Sequence, residues 1–137
     1  MAVGSLSNNI ISMNNLNPGP RIISTWKHGV PANKIAWERL KKGEGGLTAV
    51  EYGVRDSEDN PDERSVGYGG LPDREGKVTL DACIMDKNND CGAVSFLQNI
   101  KNPISVARLV MEKTPHVMLS GKGAYDFARS EEHTSEL

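Results

Sequence analysis

Over residues 77–86 apolar and polar side chains alternate. Val78, Leu80, Ala82 and Ile84 fall on one side of an extended chain, and Thr79, Asp81, Cys83 and Met85 fall on the other. That period predicts a strand with its apolar face on a core. The second face carries Thr, Asp and Cys, which points away from plain solvent. A polar turn at 87–90 leads to a second strand over 92–97. Earlier in the chain, RIISTW at 21–26 reads as a short buried strand ending on Trp26. A helix is predicted from Pro31 through residue 42. Pro suits its first turn, Ala36, Trp37 and Leu40 form its apolar stripe, and Gly43 closes it.

Thr48-x-x-Glu51 has the spacing of a capping box, with Ala49, Val50 and Val54 following. A second helix should therefore start there and end before the acidic run at 56–61, which reads as a solvated loop. Asn102-Pro103 opens a third helix, whose apolar surface is Ile104, Ala107, Leu109, Val110 and Met111. It stops at Thr114-Pro115, because the residue before Pro resists the helical region. A short strand at 116–119 precedes a further helical start at Ala124. The succession is that of a mixed α/β chain.

The two ends lack such patterning. Residues 1–20 are asparagine-rich and aperiodic, as in an unpacked leader. Within them, residues 2–6 faintly resemble the tail of a bacterial export signal that lacks its basic region and most of its apolar core, so the compartment stays open. Residues 129–137, RSEEHTSEL, break register with what precedes them and resemble the translation of a short-read sequencing adapter. The expected division is a leader at 1–20, one domain at 21–128, and an artefactual tail at 129–137.

Composition narrows the function. A formal net charge of −2 gives no electrostatic footprint for nucleic acid. No apolar run approaches the ~18 residues of a membrane span. Cys83 and Cys91 make no disulfide framework, and no CxxC or HxxxH spacing supports a metal site. His28, His116 and His133 form no constellation. Asp81 and Asp86, five apart on a strand, face opposite sides and read as structural rather than as an acid–base pair.

The stretch at 64–86 concentrates the candidate chemistry. RSVGYGG at 64–70 places Gly67, Gly69 and Gly70 where positive φ and close backbone approach are available. Pro72-Asp73 and Glu75-Gly76 supply turns. Arg64 is expected to pair at the surface with Glu63 or Asp62. A phosphate-binding loop is disfavoured, because no Lys-Ser/Thr pair follows the glycines and a strand, not a helix, comes next.

From residue 22 to 128 the chain resembles the first half of a glycosylasparaginase precursor, in the N-terminal-nucleophile hydrolase superfamily. The matching blocks are Ser24-Thr25-Trp26, 64–70, Pro72-Asp73, 79–86, 100–108 and 112–119, with Gly121, Gly123 and Ala124. Isoaspartyl peptidases and plant-type asparaginases share the later blocks. They usually show HGGAG-like and GSVLT-like segments where this chain has IISTW and RSVGYGG, which favours the glycosylasparaginase branch. Thr48 departs from the Asp usual at that helix start.

The resemblance implies an incomplete αββα four-layer sandwich, of which this chain is the N-terminal, α-chain half. It implies a partner in the C-terminal, β-chain half of the same precursor, assembly into an αβ heterotetramer, and a glycosylated asparagine as substrate. It implies no cofactor. The reaction implied is hydrolysis of the amide joining N-acetylglucosamine to the asparagine side chain, through a threonine exposed by autoproteolysis. Trp26 and Ser65 carry over as substrate-binding residues, and Gly69 and Gly70 as the active-site loop. The nucleophilic Thr of the family follows a His-Asp pair, and no HDT occurs here. No catalytic residue is therefore expected in this segment, which should be inactive alone. Two alternatives stand beside this reading: a fragment of an isoaspartyl peptidase or asparaginase, and a non-catalytic binding or assembly protein.

Overall fold

The computed structural model describes residues 19–132, with side chains to residue 131. Residues 1–18 of the leader expected at 1–20, and His133, lie outside that range. Helices α1 (Gly29–Lys41) and α2 (Gly46–Asp59) pack as a hairpin. A 3-10 turn at Gly67–Gly69 follows, then strands β1 (Leu80–Met85) and β2 (Cys91–Leu97). Helix α3 (Pro103–Lys113), strand β3 (Met118–Ser120) and helix α4 (Gly121–Glu132) complete the chain. The three strands form one sheet in the order β1-β2-β3. β1 and β2 are antiparallel, while β2 and β3 are parallel, as a strand–helix–strand crossover through α3 requires.

The core lies between this sheet and α3 and α4. Val94 and Leu97 of β2 meet Ile104, Val106 and Val110 of α3 and Ala124 and Ala128 of α4, all nearly or wholly buried. β2 approaches α3 so closely that a Cβ on Gly92 would come within 2.1 Å of the Ala107 carbonyl oxygen. The predicted alternation of β1 holds: Ile84 is buried, and Asp81, Cys83 and Met85 are exposed. With Phe96, Val117 and Met118 also exposed, the sheet has one covered face and one open face.

Several sequence expectations are corrected. Residues 21–26 form no strand. Ile23 is 90% exposed, and no ladder among the described residues takes up the segment's backbone groups, without which an extended segment gains little. Trp37 is exposed on the outer side of α1 rather than in its apolar stripe. Gly43 does close α1, at φ 83°, its N–H donating to Leu40 O. The capping box does not form. α2 begins at Gly46 behind Gly45, and Thr48 lies inside the first turn. Its hydroxyl accepts from Arg108 Nη1 at 3.1 Å, while Glu51 is buried between Ser105 Oγ (2.6 Å) and Arg108 Nη1 (2.8 Å). A tertiary tie to α3 has replaced the local cap.

The acidic run is not a loop. α2 continues to Asp59, with Ser57 and Glu58 buried. Glu58 Oε1 accepts from the backbone N–H of Ile104 at 3.0 Å, an otherwise unpaired donor at the start of α3. Its Oε2 accepts from Asn102 Nδ2, which also donates to Asp59. The carboxylates thus lock the end of α2 to the beginning of α3. At the far end, α4 runs on through Glu132, four residues into the stretch expected to break register.

Both strand aspartates are structural, as expected. Asp86 Oδ1 accepts from the N–H groups of Asn88 (2.7 Å) and Asp90 (3.0 Å), shaping the β1–β2 turn. Asp81 Oδ1 accepts from the N–H of Phe96 at 2.8 Å. Phe96 is at φ 52°, inside an irregularity where the pairing steps from Leu80↔Leu97 to Ala82↔Val94. Two residues of β2 there oppose one of β1, and Asp81 satisfies the N–H that the bulge leaves over.

Candidate functional site

The loop at 60–71 is built from its own backbone. Asn60 Oδ1 accepts from the N–H of Asp62, and Glu63 N–H donates to Asn60 O. The N–H of Leu71 closes the loop on Arg64 O at 3.1 Å, and that of Gly70 closes the 3-10 turn on Gly67 O at 3.1 Å. Of the three glycines expected at positive φ, only Gly67 has it, at 57°. A Cβ there would lie 2.2 Å from Glu58 O and 2.3 Å from Glu58 Cα, so the loop sits directly on the end of α2. Gly69 is needed for space instead: a Cβ would lie 2.2 Å from Glu63 O and 2.5 Å from Pro61 O. Gly70, at φ −53°, is also tight: a Cβ would lie 3.1 Å from Gly67 O and 3.2 Å from Val78 Cγ1, closer than ordinary contact.

Ser65 lies one residue before Val66 at the base of this loop. It lines a groove of about 270 Å³ with Val66, Gly67, Glu58, Thr79, Asp81 and Cys83. Leu80 and Ala82, from the other side of β1, line the same groove, and Asp81 and Cys83 are exposed, so the expectation that the polar side of β1 turns away from plain solvent is not met among the described residues. A neighbouring groove of about 390 Å³ joins the same loop, through Val66, to the segment before α1, through Ser24, Thr25 and His28. Trp26 stands at the head of that segment, 82% exposed and at φ 66°. Positive φ is uncommon for a bulky side chain and costs of order 1–3 kcal/mol, so surrounding structure must hold it.

A side-chain bridge ties the Trp26 segment to the Ser65 loop. His28 Nδ1 is 2.8 Å from Glu63 Oε2, and Glu63 Oε1 accepts from Ser65 Oγ at 2.5 Å and from Ser65 N–H at 3.1 Å. The Ser65 hydroxyl and N–H, with His28, hold the Glu63 carboxyl below its ordinary range despite some burial, so it is ionised. The expected Arg64 pair is absent among the described residues, because Glu63 is taken by these donors. Sequence reasoning missed both His28 and Glu63. The two-residue spacing from Glu63 to Ser65, which lets a carboxylate cap the serine N–H, was the one available signal. No cluster of three metal-ligating side chains occurs among the described residues.

Ser65 and His28 line the two adjoining grooves, whereas Trp26 and Glu63 line neither, and no nucleophile–base pair forms among these residues. Ser65 bonds a carboxylate rather than the imidazole, so its oxygen is not activated as a nucleophile. The model of the asparaginase family matches residues 24–136. The chain belongs to the asparaginase family.

Among curated relatives of this asparaginase-family chain, an N(4)-(beta-N-acetylglucosaminyl)-L-asparaginase of Elizabethkingia miricola is 63% identical over 112 residues, 82% of this chain and 33% of that protein. Those of Rattus norvegicus and Mus musculus are 46% and 44% identical over 121 residues, 88% of this chain and 35% of each protein. The resemblance carried by the sequence blocks is thus to proteins of that name, across most of the chain. The chain spans about a third of the length of these relatives.

Proposed function

We propose that the protein containing this segment hydrolyses the amide between N-acetylglucosamine and the asparagine side chain. The observation that carries the reading is the 63% identity over 112 residues to a relative whose name states that specificity. A threonine beyond the segment, freed by autoproteolysis, supplies the nucleophilic hydroxyl, and its own α-amine takes the proton. The hydroxyl adds to the side-chain carbonyl, the glycosylamine leaves with a proton, and water releases aspartate from the resulting ester.

In this reading Trp26 and Ser65 form one wall of the substrate pocket, and Gly69 and Gly70 keep the loop narrow beside it. The open sheet face carrying Cys83, Met85 and Met118 receives a second sheet from the remaining chain, completing an αββα four-layer sandwich. The two chains of the processed precursor then pair into an αβ heterotetramer.

Steady-state kinetics of the full-length protein test the assignment. With N-acetylglucosaminyl-asparagine as substrate, kcat/KM should exceed that for a β-aspartyl dipeptide by at least about tenfold, or ~1.4 kcal/mol of transition-state preference. Preference for the dipeptide would move the protein to the isoaspartyl peptidase branch, and no turnover of either substrate would leave a binding or assembly role.

A further inference from the structure

The Ser65 hydroxyl is not free to choose its hydrogen-bond polarity. A serine hydroxyl has one proton to donate and two lone pairs to accept with, whereas an ionised carboxylate only accepts. With Glu63 Oε1 at 2.5 Å, the single proton of Ser65 is committed to Glu63. The Ser65 N–H donates to the same oxygen, which fixes the carboxylate against the serine backbone. Glu63 Oε2 is held from the other side by His28, two residues beyond Trp26. What Ser65 retains for a ligand is acceptor capacity alone. A charge-assisted bond of this kind is roughly twice as strong as a neutral one, so a ligand does not readily reverse it.

We propose that Glu63 is a positioning residue that fixes the Ser65 hydroxyl as an acceptor for an N–H donor on the substrate, with His28 steadying the carboxylate. The donor class is an amide N–H or an ammonium group, both present in a glycosylated asparagine. A substrate presenting only a carbonyl or carboxylate at this point would meet lone pairs. The assignment rests on the reading of Ser65 as a substrate-binding residue.

The test is a double-mutant cycle in the full-length processed protein, using whichever of the two substrates above it turns over. Ser65→Ala should raise KM. Glu63→Ala should raise KM about tenfold with kcat changed by less than about twofold, the pattern of a lost binding interaction. Added to Ser65→Ala, Glu63→Ala should raise KM no further, because its effect passes through the hydroxyl. Glu63→Gln, which can turn an amide N–H2 toward Ser65, should give a smaller rise, and His28→Phe a smaller one still. Should Glu63→Ala fail to fold or process, Glu63→Gln takes its place in the cycle with the same signs.

A wild-type KM for the Glu63 variant, when Ser65→Ala raises KM, overturns this assignment alone. So does an undiminished Glu63 effect in the Ser65→Ala background, which would mark a merely structural role. An unchanged KM for Ser65→Ala overturns the assignment together with the substrate reading beneath it.

Discussion

Stability should fall by about 3 kcal/mol as pH rises from about 4.5 to 8 through Glu58 alone. Burial pushes the Glu58 carboxyl from 4.5 up to about 7, against the opposing hydrogen bonds from Ile104 N–H and Asn102. The side chain belongs to a residue only 2% exposed, at the junction of α2 and α3. Below about pH 4.5 the folded and unfolded chains both hold the proton, and the contribution is complete. Between there and pH 7 the folded chain keeps a proton that unfolding releases, so each rise in pH favours unfolding. Above pH 7 both forms are ionised and the loss is fully expressed.

Glu63 and Asp59 cannot mimic this. Glu63 is lowered by its bonds from Ser65, and at Asp59 the bonds from Asn102 and Lys101 outweigh burial. Both therefore titrate on the acid side of the window. Denaturant midpoints measured across pH 4.5–8 should show the fall in the wild type, and Glu58→Gln should remove most of the slope. An equal slope in both proteins would show that the carboxylate is not the buried titrating group.

Gly67→Ala should cost about 3 kcal/mol and displace the Ser65 loop. Two effects add: Ala at φ 57° is strained, and its Cβ would fall 2.2–2.6 Å from three backbone atoms of Glu58. Backbone at the end of a packed helix cannot yield as a flexible side chain does, so the 3-10 turn must move instead. Ser65 lies two residues upstream and would lose its place in the groove. A guanidinium denaturation curve measures the cost, and Gly123→Ala, in α4 with no heavy atom within 4 Å of its new Cβ, is the control. A Gly67→Ala midpoint matching that control would contradict the packing of the loop on α2.

The elements that pattern made legible are those whose partners lie close in sequence. β1 showed its alternation, residues 87–90 their polar turn, and α3 its Asn-Pro start and Thr-Pro stop, and all formed nearly where expected. What the pattern could not show were ties between distant residues. Thr48 and Glu51 had the spacing of a local cap, but Arg108 and Ser105, more than fifty residues on, claimed them. Glu58 looked like part of a solvated run until Ile104 supplied its buried N–H. Residues 21–26 looked like a strand because a run of apolar and β-branched residues is a strand signal, yet a strand also needs a neighbour.

The site divides the same way. Ser65 and Trp26 stood out as candidates only because whole blocks around them resemble a known family; alone, each is an ordinary loop residue. The Glu63–Ser65 spacing hinted at a local carboxylate–serine contact, but nothing in composition or spacing showed that His28 reaches the same carboxylate across the chain. The glycines were legible as a group but not in their roles. Gly67 meets the need for positive φ, and Gly69 the need for room.

N-terminal sequencing and intact-mass measurement of the purified full-length protein test the central claim most directly. Two chains are predicted, the second beginning with Thr, their masses summing to that of the precursor plus one water. A single uncleaved chain that turns over N-acetylglucosaminyl-asparagine would contradict the claim that this segment is the first half of a self-processing threonine amidohydrolase.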